Sequence, residues 1–203
     1  TGIDPLAARP VGLSFSTAPK TAWYVPLNLE PTIFGGPPGS DAAPVFEALR
    51  PIMEDPAVRK AGQNAKYDLL VYRVAGVRPE GLVHDSMVLS FLLDPQERTH
   101  NLDDLSDRHL RLRKIPTSDL IGRGKDQVTM AEVPVERVAE YACEDADAAL
   151  RVLGVLEPRL AGSGVERLYR DVELPLVQVL ADMEERGIRV DGAALEGMGT
   201  RLK

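Results

Sequence analysis

The chain has 203 residues, of which 44% are hydrophobic and 27% charged, and its formal net charge is −7 at pH 7. This composition is ordinary for a globular protein with room for one substantial domain, or for one domain and part of another. It excludes a membrane helix, because no apolar run reaches the necessary length. The acidic balance is weak evidence against a nucleic acid partner, unless some carboxylates serve as metal ligands.

The hydrophobic pattern along the chain predicts a mixed α/β domain followed by helices. In chain order, we expect strands over 11–16 and 22–27, a helix over 41–55, a short inner strand over 59–64, and helices over 66–74, 84–93, 102–112, 134–160 and 165–186. A few strands followed by several helices are typical of an α/β body with a helical tail. Glycines at 162 and 164 break the longest helical pattern, so a second structural unit is expected to begin near there.

The first group of residues with chemical potential lies where the inner strand passes into a helix. It is the run Gly62-Gln63-Asn64-Ala65-Lys66-Tyr67-Asp68. Carboxylates at such a junction commonly face a site at the edge of a sheet. The same residues also suit structural roles, in which Asn64 caps the helix and Asp68 interacts with the helix dipole. Local physics favours the structural interpretation.

The second group lies within the long helix, in the run Tyr141-Ala-Cys-Glu-Asp145-Ala-Asp147. Tyr141 and Asp145 are four residues apart, so one helix face carries a phenol beside a carboxylate. Asp147 points largely away from that face. A partly buried tyrosine on an acidic helix would explain the pattern equally well.

The histidines and the single cysteine give weaker signals. His84, His100 and His109 lack metal-ligand spacing, so surface or helix-end positions are expected for them. Cys143 has no nearby basic residue and is expected to be a small apolar residue rather than a nucleophile. It cannot form an internal disulfide, which fits a reducing cytoplasm.

Taken together, the motifs resemble a known family. The two runs described above, the intervening Gly122-Arg-Gly-Lys-Asp-Gln127 and the segment from Glu173 to Asp191 occur in the order and spacing of bacterial-type family A DNA polymerases. The resemblance covers essentially the whole chain. It implies a 3′→5′ exonuclease domain of the DEDDy group over 1–162, with a ribonuclease H-like mixed sheet flanked by helices. It also implies that 163–203 begin the polymerase domain.

The family implies hydrolysis of the terminal phosphodiester at a single-stranded or mismatched DNA 3′ end, with two divalent cations, Mg²⁺ or Mn²⁺, held by four carboxylates. By resemblance, Asp68 and Asp145 are two of these ligands, and Tyr141 is the phenol that orients the attacking water. The positions that match DNA-contacting residues are Ile3, Gln63, Asn64, Lys66, Tyr67, Arg98 and His100. The implied partners are DNA, at a primer terminus, and the polymerase domain of the same chain. We expect a cytoplasmic, nucleoid-associated bacterial monomer with no membrane partner.

The chain departs from the family pattern in two places. The D-x-E motif, which supplies the other two carboxylates, is expected a few residues before Thr1, so this chain by itself is expected to be nearly inactive. Thr117 occupies a position where relatives often carry an aromatic residue. Two alternatives therefore stay open: a vestigial exonuclease-like spacer of a family A polymerase, and an RNA 3′-processing enzyme of the ribonuclease D type.

Overall fold

The computed structural model describes residues 2, 4–27 and 42–202, except for the side chain of Asp126. The strands are β1 (Gly12–Ala18), β2 (Thr21–Pro26), β3 (Lys60–Gly62) and β4 (Leu82–Asp85). The helices are α1 (Ala43–Met53), α2 (Ala65–Val74), α3 (Ser86–Leu93), α4 (Leu102–Leu110), α5 (Thr117–Ile121), α6 (Val135–Leu160), α7 (Glu166–Leu168), α8 (Leu174–Arg186) and α9 (Gly192–Leu202). Short 3₁₀ turns cover Gly124–Asp126 and Met130–Glu132. None of the helices in the described part of the chain is long and apolar enough to cross a membrane.

The strands form two separate pairs. β1 and β2 are antiparallel, whereas β3 and β4 are parallel. The expected mixture of strand directions is therefore present, but no ladder hydrogen bonds join the two pairs within the described residues. Both pairs instead contact the long helix α6, through β1, β2 and β3.

One element differs from the sequence prediction. The helix expected over 84–93 begins only at Ser86, because Leu82–Asp85 form the strand β4. The strand has only four residues, too few to be recognised by alternation, and Asp85 marks its end by capping α3. His84 was expected at a surface or helix end, and this expectation is wrong, since the residue is 4% exposed.

The largest core cluster lies between α3, α4, α6 and the segment that follows α6. Its buried members are Leu89, Leu105, Val152, Leu153, Leu156, Leu160 and Tyr169. Tyr169 is fully buried although it lies beyond the glycine break at 162–164. The glycines at the predicted domain boundary therefore do not separate two cores. Tyr169, a few residues after them, belongs to the same core as α3, α4 and α6.

The tail packs against the helix that carries Asp68. The helical segment runs from α7 through a π-helical turn (Tyr169–Glu173) into α8, which contacts α2. Arg73 of α2, only 7% exposed, lies 2.7 Å from Asp182 and 3.3 Å from Glu185 of α8. Gln178 also accepts a hydrogen bond from Arg73 at 2.9 Å. The tail is therefore fixed to α2 by a cluster of charge-assisted contacts.

Candidate functional site

The start of α2 has an unusual backbone. Asn64, the N-cap residue, is left-handed at φ 57° and ψ 48°, and its side chain makes no capping hydrogen bond. The structural role considered for Asn64, helix capping by its side chain, is therefore wrong. Asp85 provides the cap from another element: its carboxylate accepts the backbone N–H of Ala65 at 2.7 Å and that of Asn64 at 3.3 Å.

Asp68 lies one turn into α2 and makes no hydrogen bond or ion pair with a described residue. Its side chain keeps contact with solvent, but dense protein surrounds the carboxyl group. This desolvation, with a smaller contribution from the charge of Asp85, raises the pKa of Asp68 to about 7. A carboxyl group of this kind gains from a nearby cation, which favours its ionised form.

The other predicted DNA contacts at this junction already have protein partners. Gln63 donates to the carbonyl oxygen of His100 at 2.8 Å and accepts a hydrogen bond from Ser86. The Tyr67 hydroxyl donates to the carbonyl oxygen of Gly2 at 2.5 Å. Ile3, the predicted apolar contact, lies outside the described residues.

Lys66 makes a contact with the tail rather than projecting freely. Its ammonium group forms an ion pair with Glu184 of α8. The lysine is 31% exposed and its partner 42% exposed, so solvent weakens the pair. Lys66 can therefore exchange this carboxylate for another anion at a modest cost.

A second cluster surrounds Asp145 on α6. The carboxylate is in contact with the ammonium group of Lys114, which is 3% exposed and also lies 2.7 Å from Asp103. Burial raises the pKa of Asp145, while the Lys114 charge and the Tyr141 hydroxyl oppose that rise. The contact is made at the buried Oδ1, where the ammonium group and the carboxylate are paired by charge without ideal hydrogen-bonding geometry. A cation at this oxygen would therefore have to compete with Lys114.

Tyr141 lies on the same face of α6 as Asp145, which agrees with their spacing in the sequence. Its hydroxyl is 3.0 Å from Thr117 Oγ1, and the Lys114 ammonium lies 5.7 Å from the centre of its ring. Burial, more than any other cause, raises the pKa of Tyr141 above its usual value of 10. The phenol therefore stays protonated at neutral pH and can form hydrogen bonds but not remove a proton.

Arg98 and His100 line a cavity of about 390 Å³ together with Phe91 and Glu173. The His100 ring packs edge-on against Phe91, with 5.5 Å between centroids, and its Nδ1 lies 2.9 Å from Ser90 Oγ. Its Nε2 is buried and has no partner. The structure thus places Arg98 and His100, both predicted to contact DNA, in the lining of the same cavity.

The predicted site residues come from separate elements of the fold. Gln63, Asn64, Lys66, Tyr67 and Asp68 lie at the start of α2, whereas Tyr141 and Asp145 lie on α6. Within the described residues, no group of three or more acidic, histidine or cysteine side chains is arranged to hold a metal ion. The carboxylates of Asp68 and Asp145 each fit a hard cation as single ligands, with Lys114 as a competing cation at Asp145. A complete centre would need further carboxylates.

Two residues beside these groups were not predicted from the sequence. Lys114 follows Arg113 in a segment between two helices, and nothing in its spacing pointed to Asp145. Asp85 did carry a signal, since an acidic residue directly before an apolar helical run is typical of an N-cap. Its second contact, with α2, depends on the parallel pairing of β3 and β4.

The mixed α/β arrangement of strands and helices is consistent with a ribonuclease H-like fold. The family model described as 3′-5′ exonuclease, of family A DNA polymerases, matches residues 1–161. The chain therefore belongs to the 3′-5′ exonuclease domain family of family A DNA polymerases, which confirms the resemblance and the predicted fold class.

Curated relatives agree with this assignment. DNA polymerase I of Rhizobium leguminosarum is 37% identical over 217 residues, a match that covers 100% of this chain and 21% of the relative. DNA polymerase I of Pseudomonas aeruginosa is 38% identical over 204 residues, covering 99% of this chain and 22% of the relative. The chain thus spans about a fifth of the length of these relatives.

Solved structures show the same fold. The POL domain of Pol1 from M. smegmatis, in complex with a DNA primer-template and dNTP, has a TM-score of 0.71 at 24% identity, covering 94% of this chain and 28% of that one. NrnC of Brucella melitensis with bound Mg²⁺ has a TM-score of 0.67 at 20% identity, covering 92% of this chain and 81% of that one. At these identities the likeness concerns the fold alone.

Proposed function

We propose that this chain is the proofreading domain of a longer DNA polymerase I, in which it removes mismatched nucleotides from a DNA 3′ end by hydrolysis. In that protein, 1–162 form the exonuclease domain and 163–203 begin the polymerase domain, which performs synthesis in replication and repair. The proposed protein is a cytoplasmic, nucleoid-associated monomer. Family membership and relatives named DNA polymerase I support this proposal.

The observation that carries the proposal is the pair formed by Tyr141 and Asp145. Asp145 is a largely buried carboxylate with a raised pKa, and its Oδ1 is paired with the Lys114 ammonium group, a position where a cation is already favoured. Tyr141 lies one turn away, and its raised pKa keeps its proton in place. Such a phenol can hold a water molecule by a hydrogen bond beside the carboxylate. Its proposed role is therefore to orient that water.

Two divalent cations, Mg²⁺ or Mn²⁺, are the proposed cofactors. Asp68 and Asp145 would each give a carboxylate oxygen, and the remaining ligands are expected from a D-x-E motif upstream of Thr1 in the longer protein. When bound, the cations would activate the attacking water and stabilise the leaving 3′-oxygen. Gln63, Asn64, Lys66, Tyr67, Arg98, His100 and Ile3 are proposed to contact the terminal nucleotides.

The decisive variant is Asp145→Ala in the longer protein, assayed on a mismatched primer with Mg²⁺. Loss of one carboxylate should lower 3′-end trimming by at least about a hundredfold, comparable to the loss of a central electrostatic group in other enzymes. Polymerisation should stay within about twofold of the parent rate. Glu140→Gln, an exposed acid on the same helix, is the control. Trimming by Asp145→Ala at the parental rate would refute the assignment.

The ion pair between Lys114 and Asp145 favours a second candidate, a vestigial nuclease that serves as a rigid spacer. A buried ammonium group already neutralises this carboxylate and thereby does part of what a metal ion would do. The two candidate functions predict different 3′-end trimming by the longer protein with its natural sequence. Polymerisation without 3′-end trimming, together with no D-x-E motif upstream, would establish the spacer.

A further inference from the structure

Asp85 is a buried carboxylate, 1% exposed, that the proposed chemistry does not use. Its Oδ1 accepts the backbone N–H groups of Met87 at 2.9 Å and Val88 at 3.2 Å, at the start of α3. Its Oδ2 accepts the N–H of Ala65 at 2.7 Å, and Oδ1 also receives the N–H of Asn64 at 3.3 Å. One side chain thus satisfies amides at the start of two helices.

Among the described residues, no other side chain accepts a hydrogen bond from these amides. The first N–H groups of any helix lack an acceptor within the helix and need one from elsewhere. At α2 the usual solution fails, because Asn64 is left-handed and its side chain does not cap. The first turn of α2 therefore depends on Asp85, which reaches it from the end of the neighbouring strand β4.

The contact has a direct consequence for the candidate site. Asp68 lies three residues after Ala65, so the direction of the first turn of α2 decides where its carboxyl group points. Asp85 is itself held in place, since its own N–H donates to the buried Tyr169 hydroxyl at 3.0 Å. The chain of contacts runs from Tyr169 through Asp85 to the backbone of Asn64 and Ala65.

We propose that Asp85 is a positioning residue for the exonuclease site: it fixes the backbone at Asn64 and Ala65 and so sets the position of Asp68. Its role in catalysis rests on the proposed function of Asp68. The hydrogen bonds from Asp85 to the start of α2 do not depend on that function. The structural role and the catalytic role of Asp85 can therefore be measured separately.

Asp85→Asn should affect the first turns of the two helices differently. An asparagine has one acceptor oxygen, and three of the four N–H groups donate to Oδ1. With the amide oxygen at that position, its NH₂ group faces the N–H of Ala65, and two donors oppose each other. The variant therefore keeps the cap of α3 and the long bond from Asn64 but loses the short bond from Ala65, whereas Asp85→Ala loses all four.

Amide hydrogen exchange on the 203-residue chain, resolved by NMR, tests this hold. In Asp85→Asn, exchange at Ala65 should accelerate at least about tenfold, which corresponds to about 1.4 kcal/mol. Exchange at Met87 should stay within about threefold, but it should rise in Asp85→Ala. The control is Asp191→Asn, a variant of an exposed cap residue that accepts the N–H of Ala194 at 3.0 Å. Unchanged exchange at Ala65, or equal acceleration at Ala65 and Met87 in Asp85→Asn, would overturn the proposal.

In the longer protein, Asp85→Asn should lower kcat for 3′-end trimming at least about tenfold with KM within about threefold, because a displaced ligand weakens the chemical step more than DNA binding. Polymerisation should not change. An unchanged trimming rate despite faster exchange at Ala65 would overturn the catalytic part. If the longer protein with its natural sequence does not trim at all, the proposed function fails, and exchange at Ala65 still decides whether Asp85 holds α2.

Discussion

The hydroxyl group of Tyr169 offers a sharp test of how the tail joins the body of the domain. It accepts the N–H of Asp85 at 3.0 Å and lies 3.3 Å from His84 Nδ1. The other ring nitrogen of His84, Nε2, lies 3.1 Å from the Glu157 carboxylate, which can only accept a hydrogen bond. A neutral His84 therefore carries its proton on Nε2, and its Nδ1 accepts a hydrogen bond from the Tyr169 hydroxyl group. Tyr169→Phe removes this hydroxyl without changing the shape of the ring.

The expected cost follows from the groups left behind. A buried polar group that loses its partner costs about 1–3 kcal/mol. The Asp85 N–H loses its acceptor, and His84 loses a longer and weaker contact, while removal of a buried hydroxyl recovers part of that cost. We expect Tyr169→Phe to lower the free energy of unfolding by about 2 kcal/mol. For a chain of this size, that corresponds to a fall in Tm of about 4–8 °C.

Urea unfolding of the 203-residue chain, followed by circular dichroism, measures this change. The matched control is Tyr72→Phe. Tyr72 is also buried and packs edge-on against Phe46 at 5.6 Å between centroids, but its hydroxyl makes no hydrogen bond with any described residue. The control should stay within about 0.5 kcal/mol of the unmodified chain. Equal unfolding midpoints for the two variants would refute the reasoning.

Two further predictions concern stability. Arg73→Met should lower the free energy of unfolding by about 1 kcal/mol, because it removes a buried partner of Asp182 and Glu185, whose carboxylates remain in contact with solvent. Arg167→Met, at a residue 94% exposed in its ion pair, should have almost no effect in the same urea titration. Burial lowers the pKa of His84 below its usual value of 6.5, so this residue adds a positive slope to the stability against pH near 6.5, whereas the raised pKa of Asp68 adds a slope of the opposite sign. In His84→Gln the net slope, measured from urea midpoints between pH 7.5 and 5.5, should decrease, and an unchanged slope would contradict the prediction.

The sequence predicted the features that depend on local periodicity. The β1–β2 hairpin and the helices α2, α4 and α6 have close to the expected bounds, and the shared face of Tyr141 and Asp145 follows from helical spacing. The positions of charged partners could not be predicted in this way. Lys114 reaches Asp145, and Glu184 reaches Lys66, only after distant segments pack together. Such contacts have no periodic signal in a single sequence.

The same limit explains why β4 and the role of Asp85 were missed. A four-residue strand that continues directly into an apolar helix has too little alternation to be recognised. Once β4 pairs with β3, Gly62 lies opposite Asp85, and the carboxylate comes within reach of the next amides along the chain. The left-handed backbone of Asn64 is then understandable, because Asp85 supplies the acceptor that the Asn64 side chain does not. The cap was visible in the sequence for α3 but not for α2.

These contacts also bear on where one structural unit ends and the next begins. The glycine break at 162–164 made this point the natural boundary in the sequence, and the matched family model also ends at 161. Yet Tyr169 is fully buried in the core formed with α3, α4 and α6. It also holds Asp85, and α8 is joined to α2 through Arg73. A cut at the glycines would therefore leave a cavity in the core and an N–H without an acceptor next to the first turn of α2. Because that turn carries Asp68, the candidate site depends physically on residues beyond the boundary that the sequence suggested.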